Sequence, residues 1–211
     1  MRPYQHAVSS AAALGGRWQD YLAIHEFLDS TKAACSDMRH RMILHSVDFG
    51  GALTAMLFPD RDDIDRIVCQ HVVEDIGAAR TLSEWLQLCR RAQMPRFHPE
   101  ALPIDAERMV AEETRRSGIR DDAYIRKICA LLMLPMTFAP AFGPDALCVL
   151  GNSFGPALVR RLVGPPIGID GTIFDPALCA ERMIYGLYRA VPPMTAIVHT
   201  LQSSHQSEAR Q

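Results

Sequence analysis

The sequence predicts a mainly α-helical protein, with an N-terminal helical bundle followed by a helical part that is richer in loops. Apolar residues recur at three- and four-residue spacing through about the first 90 residues, the periodicity of helices with one buried face. The chain has 211 residues, of which 48% are hydrophobic and 22% charged, so it can fill a core. After Pro135 glycine and proline become frequent, which indicates loops between short elements.

Helices are predicted in the N-terminal part at 19–32, 37–57, 64–76 and 81–89. Pro59 ends the second of these, because proline cannot continue a helix. Gly77 after the third is typical of a helix C-cap. Thr81 followed three residues later by Glu84 is the pattern of a capping box, and it predicts the start of the fourth helix.

The prolines around residue 100 predict a connection between two parts of the chain. We therefore expect a His- and Asp-rich bundle over 1–95, a proline-rich connection over 96–104, a helical C-terminal part over 105–201 and a polar tail over 202–211. Within the C-terminal part the predicted helices are 105–116, 121–134, 156–163 and 176–189. The last two open on a proline, which is favoured in the first turn of a helix.

The composition excludes several classes of function. Lys and Arg number 22 against 24 for Asp and Glu, which removes the simplest electrostatic case for nucleic-acid or anionic-membrane binding. The longest apolar stretch, 128–142, is interrupted by prolines and is shorter than the roughly 20 residues of a membrane span. We expect no nucleotide or organic cofactor, and we expect a small molecule or protein as partner, with a homo-oligomer left open.

The cysteines and the N-terminus predict a cytoplasmic protein. The six cysteines are widely spaced, without a CxxC motif, and most lie in apolar runs. The N-terminal residues lack the apolar segment of a secretory signal peptide. We therefore expect reduced and mostly buried thiols rather than disulfides.

Histidines are concentrated in about the first third of the chain. Five of the eight lie within the first 71 residues, at His6, His25, His40, His45 and His71. On the predicted helices, three of these histidines have a carboxylate one turn further along the same helix. The pairs are His25 with Asp29, His45 with Asp48, and His71 with Glu74 and Asp75. If these helix faces converge, they form a nitrogen and oxygen site of the kind that helical bundles build for zinc, manganese or iron.

This pattern favours a metal-dependent enzyme, with a hydrolase as the leading hypothesis, because a bound metal can supply an activated water. The predicted ligands are His25, Asp29, His45, His71 and Asp75. Glu74 is the predicted general base, and Arg41, on the predicted face of His45, is the predicted contact to an anion or substrate. Two alternatives stay open: a buried polar network that sets helix register in a non-enzymatic interaction or assembly module, and unconnected ion pairs.

A series of motifs runs through the N-terminal part in order. They are Pro3-Tyr-Gln-His-Ala-Val-Ser-Ser, Asp20-Tyr-Leu-Ala-Ile-His-Glu-Phe-Leu-Asp-Ser-Thr-Lys, Asp37-Met-Arg-His-Arg, Gln70-His-Val-Val-Glu-Asp-Ile-Gly and Leu82-Ser-Glu-Trp-Leu. Residues 3–96 thereby resemble a family of short bacterial and phage proteins that is known as a domain of unknown function. The chain departs from that pattern at Ser46, where a second histidine is expected, and at Cys69, where a glutamate is expected. The resemblance implies a shared helical domain and carries no known activity.

A rival site lies in the second half of the chain. Residues 146–162 match an apolar strand, a GxSxG turn and a helix, the local pattern of a nucleophile elbow. In that serine-hydrolase hypothesis Ser153 attacks, His199 takes its proton, and Asp170 or Asp175 orients the imidazole.

The predicted topology opposes this rival site. A nucleophile elbow needs parallel strands before it, whereas the preceding residues are predicted to be helical. In the alternative interpretation Gly151 and Gly155 are turn residues around a buried apolar segment.

Overall fold

The structure is a computed structural model that describes residues 1–33 and 40–200, and it confirms a mainly α-helical fold. The first residues of the predicted helix 37–57 and the predicted tail 202–211 lie outside the described residues. The chain divides into two compact units. The N-terminal unit consists of Met1–Arg90 with the chain from Val198 on, and the C-terminal unit consists of Arg91–Ile197.

The N-terminal unit is built from short helices. They are α1 Pro3–Leu14, α2 Gln19–Leu28, α3 Arg41–Leu44, α4 Phe49–Leu57, α5 Ile64–Ile76 and α6 Leu82–Gln87, and a 3-10 segment, Asp29–Ala33, follows α2. Helix α5 has the predicted bounds, and Gly77 closes it in the left-handed conformation at φ 78°. The predicted capping box is present at α6, where the Thr81 side chain accepts from the backbone of Glu84 and the Glu84 side chain accepts from Thr81.

Helix α1 is absent from the sequence prediction. Its end signals are ordinary, with Pro3 in the first turn and Gly15 at the C-cap with φ 87°. The residues that it buries are His6, Ala7 and Ser10, which are small or polar. The apolar periodicity that revealed the other helices is therefore weak in this one.

The prediction of one continuous helix over 37–57 is wrong, because the described part forms α3 and α4 with a break between them. His45 leaves the helical conformation, with φ −92° and ψ 51°. Asp48 then caps α4 by accepting from the Phe49 amide at 2.7 Å. At Gly50 a Cβ atom would lie 2.1 Å from the carbonyl oxygen of Leu44, so only glycine allows this close approach.

The core of the N-terminal unit lies between α1, α2 and α5. Its buried members are Ala7, Tyr21, Ile24, Leu28, Ile64, Ile67, Val68 and Val72. These residues contribute one face of each of the three helices, as expected for amphipathic helices that pack together. The packing brings the polar positions at the edge of the same faces into the interior, among them His25 on α2 and His71 on α5.

The C-terminal unit is also helical. Its helices are α7 Ala106–Ser117, α8 Ala123–Phe138, α9 Phe154–Val163, α10 Pro176–Tyr188 and, extending to its boundary, α11 Met194–Val198. Its 3-10 segments are Arg91–Gln93, Pro99–Ala101 and Pro140–Val149. An antiparallel hairpin of β1 Ile167–Ile169 and β2 Thr172–Phe174 pairs Ile167 with Phe174. Among the described residues, none of the helices has the length and apolar character needed to cross a membrane.

Candidate metal centre

Four side chains with metal-binding atoms meet inside the N-terminal unit. One ligand atom from each of Asp29, His45, His71 and Asp75 lies within 4.8 Å of the other three. Asp29 follows α2, His45 follows α3, and His71 and Asp75 lie one turn apart on α5. The side chains of the two histidines and of Asp75 are 0% exposed and that of Asp29 is 4% exposed, so the cluster is shielded from water.

Several distances within this cluster are close to those of a metal coordination shell. The Nε2 atoms of His71 and His45 are 2.9 Å apart, and Oδ2 of Asp75 is 3.2 Å from Nε2 of His45. Oδ1 of Asp29 lies 3.6 Å and 3.7 Å from these two nitrogens. In a tetrahedral site with bonds of about 2.0 to 2.2 Å, ligand atoms are about 3.3 to 3.6 Å apart. Atoms of the cluster that lie up to 4.8 Å apart would have to approach by about 1 Å for all four to bind one ion.

Cationic and polar groups hold both carboxylates in place. The guanidinium of Arg41 lies 3.0 Å from Oδ2 of Asp75 and also donates to the Asp75 backbone carbonyl at 2.8 Å. Lys32 Nζ lies 2.6 Å from Oδ1 of Asp29. Arg41, the predicted substrate contact, is thus placed against a candidate ligand.

Both carboxylates are in the ionised form that binds metals. Burial by itself would raise the pKa of Asp75, but hydrogen bonds from His45 and His6 hold it well below its ordinary value. Burial likewise opposes the charge of Asp29, and hydrogen bonds from His45 and Lys32 lower its pKa overall.

His25, another predicted ligand, lies next to the cluster rather than in it. Its Nδ1 is 2.9 Å from Nδ1 of His71, and its Nε2 is 2.9 Å from the Ser10 hydroxyl. A hydrogen bond to the remote nitrogen of an imidazole fixes which nitrogen faces a metal, and here it leaves Nε2 of His71 facing His45.

The buried imidazoles on α2 and α5 resist protonation. Burial, reinforced by the charge of His6, lowers the pKa of His25 to about 4. Burial also holds the pKa of His71 well below its ordinary value, with nearby histidines adding to the effect. His71 is therefore neutral at pH 7, as a metal ligand must be.

Glu74, the predicted general base, lies beside the four-ligand cluster. It accepts hydrogen bonds from Ser9 at 2.5 Å and from Gln70 at 2.8 Å, and Nδ1 of His6 lies 2.7 Å from its other oxygen. Burial opposes its charge, but these hydrogen bonds lower the pKa of Glu74 overall. Its side chain is 21% exposed, so it links the cluster to solvent through His6, whose Nε2 is 3.1 Å from Asp75.

His6 is the residue that sequence reasoning missed at this site. It is 0% exposed and bridges the carboxylates of Glu74 and Asp75. Carboxylate oxygens accept hydrogen bonds, so a ring nitrogen of His6 that carries a proton donates to the acid that it faces. Pro3 and Gly15, the end signals of α1, are the sequence features that could have placed His6 on a helix.

The predicted pairing of His45 with Asp48 is wrong. Asp48 caps α4 and also accepts from the Leu82 amide at 2.9 Å, whereas His45 faces Asp75. His40 does not join the four-ligand cluster, and its ring packs edge-on against that of His45 at 5.8 Å between centroids. Asp37, three residues before His40, lies outside the described residues.

The surroundings of Ser153 differ from those of a nucleophile elbow. The predicted strand before it is wrong, because Pro140–Val149 is a 3-10 segment. Among the described residues the strands form only the hairpin β1–β2, which follows Ser153 and is antiparallel. The Ser153 hydroxyl accepts from the Met194 amide at 2.9 Å.

The other members of the predicted triad have contacts of their own. Asp175 caps α10 and pairs with Arg160 at 2.8 Å, and Asp170 accepts from the Arg120 amide at 2.9 Å. His199 is exposed and belongs to the N-terminal unit, whereas Ser153 belongs to the C-terminal unit.

The glycines of the GxSxG motif serve close packing. A Cβ at Gly151 would lie 2.7 Å from the Leu147 carbonyl oxygen and 2.8 Å from the Tyr188 ring. A Cβ at Gly155 would lie 2.1 Å from the Leu150 carbonyl oxygen. The motif is therefore explained by a tight turn.

Comparison with known proteins bears on the unit that contains the cluster. Neither a curated protein nor a solved structure matches the chain. A family is found for one segment of the chain, and that segment contains all four residues of the cluster. It also contains their neighbours His6, His25 and Glu74. Residues 1–94 match the family model described as a domain of unknown function, DUF6915, which confirms the resemblance indicated by the sequence motifs.

Proposed function

We propose that the N-terminal unit binds a divalent transition metal through Asp29, His45, His71 and Asp75. The observation that carries this proposal is the set of four buried ligand atoms within 4.8 Å of one another. Two imidazoles and two carboxylates are a donor set that suits zinc, manganese or iron.

An unsatisfied atom within the cluster supports the proposal. Oδ2 of Asp29 is buried and has no hydrogen-bond partner among the described residues. A buried carboxylate oxygen left without a partner costs on the order of 1 to 3 kcal/mol or more. A metal ion bound by both oxygens of the Asp29 carboxylate would offset that cost.

We propose metal-assisted hydrolysis as the reaction class. The donor set contains nitrogen and oxygen without thiolate, as catalytic metal sites do, and the higher coordination number of manganese or iron would leave a position for water beside four protein ligands. A bound divalent ion would supply a water with a pKa lowered to about 7. Glu74 is the proposed general base, since it is the carboxylate of this region that reaches solvent, and Arg41 is proposed to orient Asp75 and to contact an anionic substrate.

Elemental analysis of the purified protein tests the metal proposal. We expect about one zinc, manganese or iron ion per chain, either as isolated or after reconstitution. His71→Ala should lose the ion, whereas His199→Ala, at an exposed histidine of the same unit, should retain it. A wild-type protein that binds none of these metals, or an alanine variant at His71 with unchanged affinity, would overturn the proposal.

A structural network is the second candidate function. Hydrogen-bonding distances connect Ser10, His25, His71, His45 and Asp75 in one chain that joins α1, α2, the end of α3 and α5. Such a network can fix the register of helices in a non-enzymatic interaction or assembly module.

Thermal unfolding separates the two candidates. A metal that binds only the folded protein stabilises it by about 2.7 kcal/mol at a hundredfold excess over Kd, so a chelator should lower the Tm. The structural network predicts instead that His25→Ala lowers the Tm while a chelator leaves the wild-type Tm unchanged.

A further inference from the structure

Each carboxylate of the candidate metal centre already has a cation against it. Lys32 lies 2.6 Å from Asp29, and Arg41 lies 3.0 Å from Asp75. The formal charges of these four side chains sum to zero, and the N-terminal ammonium of Met1, 2.8 Å from Oδ1 of Asp75, balances the Glu74 carboxylate on the other side of His6. A metal ligand imidazole is neutral, so the two histidines of the cluster add no charge.

A divalent ion would therefore leave this buried region with a formal charge of +2. Uncompensated charge in a protein interior is costly, so a metal-loaded centre of this composition requires an anion. This reasoning rests on the proposed metal binding. We propose that the metal-loaded centre takes a phosphoryl oxyanion as a further ligand, with Lys32 as its second contact, and that phosphate monoesters are the substrate class of the hydrolase.

The exposure of Lys32 supports its role. Its side chain is 33% exposed, whereas that of its partner Asp29 is 4% exposed, so the ammonium group lies between the buried cluster and solvent. An ammonium has three donors and can contact Asp29 and a phosphoryl oxygen together. Arg41 is only 11% exposed and is held against Asp75, which makes Lys32 the more accessible cation.

The charge of the ligand distinguishes a phosphate monoester from a carboxylate. A monoester dianion balances a charge of +2 completely, whereas a carboxylate balances half of it. In the hydrolysis, the oxygen of water forms a new bond to phosphorus and the ester P–O bond breaks. The leaving oxygen takes the proton that water releases, which gives an alcohol and inorganic phosphate.

Calorimetric titration of the full chain with inorganic phosphate tests this inference, with protein loaded with Mn²⁺ compared with metal-free protein. We expect phosphate to bind the loaded protein at least tenfold more tightly than the metal-free protein, and by linkage Mn²⁺ to bind more tightly when phosphate is present. Lys32→Met should weaken phosphate binding at least tenfold while Mn²⁺ still binds, and Lys32→Arg should restore most of it. Lys127→Met, at the only other lysine of the chain and an exposed one, is the matched control and should change neither affinity.

The outcomes separate this inference from the metal proposal. Binding of Mn²⁺ without any binding of phosphate overturns the inference alone, and failure to bind Mn²⁺ overturns both. Acetate that binds as tightly as phosphate overturns the assigned ligand class. Loaded protein that hydrolyses p-nitrophenyl acetate but not p-nitrophenyl phosphate overturns the assigned substrate class.

Discussion

His71 connects two layers of the candidate metal centre through the two nitrogens of one ring. Its Nδ1 lies 2.9 Å from His25 and its Nε2 lies 2.9 Å from His45. The ring is fully buried and makes both contacts at once. The same ring would therefore bind the metal, and its orientation would depend on His25 of α2 and on Ser10 of α1 behind it.

The low pKa of His25 makes the stability of the metal-free protein depend on pH. Burial, and then the charge of His6, lower the pKa to about 4, against the opposing carboxylates of Glu74, Asp29 and Asp75. An unfolded histidine has a pKa of about 6.5, so between these values only the unfolded state binds the proton. Stability that is fully present above about pH 6.5 should be lost progressively as the pH falls from about 6.5 to 4, by up to about 3 kcal/mol.

Urea denaturation between pH 7 and pH 4, in the presence of a chelator, measures this effect. His25→Gln removes the titrating group and should give a shallower decline than the wild type. His199→Gln, at an exposed histidine, should decline as the wild type does. Parallel curves for the wild type and His25→Gln would contradict the prediction.

The cysteines of the described residues should differ sharply in reactivity. Burial raises the pKa of Cys89 and Cys129 to about 11 and that of Cys179 to about 12, so these thiols stay protonated at pH 8. Cys69 is exposed on α5. Brief treatment of the native protein with iodoacetamide, followed by peptide mass spectrometry, should show Cys69 modified well ahead of Cys89, Cys129 and Cys179. Equal rates for Cys69 and Cys129 would show that the C-terminal unit opens readily.

The break between α3 and α4 determines where His45 lies. A continuous helix would place His45 on one face with Arg41 and Asp48, as the sequence periodicity predicts. In the structure His45 ends α3 with a non-helical conformation, and its backbone carbonyl accepts from the indole of Trp85 at 2.7 Å. Trp85 of helix α6 thereby helps to fix the position of His45, which lies outside both α3 and α4.

Gly50 should be essential to this arrangement. Gly50→Ala would place a Cβ 2.1 Å from the Leu44 carbonyl oxygen, so the ends of α3 and α4 must separate. We expect a loss of about 2 to 3 kcal/mol in the free energy of unfolding and weaker metal binding, because His45 lies between the two helices.

The neighbouring glycine provides the control for that substitution. A Cβ at Gly51 would meet only the Asp65 side chain at 3.9 Å, an ordinary contact. Gly51→Ala lies in the same helix and should leave stability unchanged or raise it slightly, since alanine favours helix over glycine. Comparable urea midpoints for Gly50→Ala and Gly51→Ala would contradict the proposed close approach.

At the scale of the whole molecule, the N-terminal unit brings the residues of its candidate site together, whereas the C-terminal unit does not. All four proposed ligands lie in the N-terminal unit, within the segment that matches the family of unknown function. The C-terminal unit contains the GxSxG motif, but among its described residues there is no parallel sheet to support a nucleophile elbow. The GxSxG motif is therefore present without the parallel sheet that a nucleophile elbow requires.

The disagreement between motif and fold predicts that Ser153 is not a reactive nucleophile. Its hydroxyl is bound to the Met194 amide, and no general base is placed against it among the described contacts. A fluorophosphonate probe should leave the native protein unlabelled. Labelling that disappears in Ser153→Ala and persists in Ser117→Ala, at another serine of the C-terminal unit, would restore the serine-hydrolase hypothesis.

The sequence by itself determined the helical class, α5 with its bounds, the capping box of α6, and the presence of His71 and Asp75 one turn apart on α5. These are local properties, because helical periodicity and cap residues act over one or two turns. Tertiary structure decided that Asp29 and His45 join them, that His25 lies behind His71, and that His6 bridges Asp75 and Glu74. These facts depend on how α1, α2 and α5 pack and on a close approach at Gly50, and neither leaves a periodic signal in the sequence.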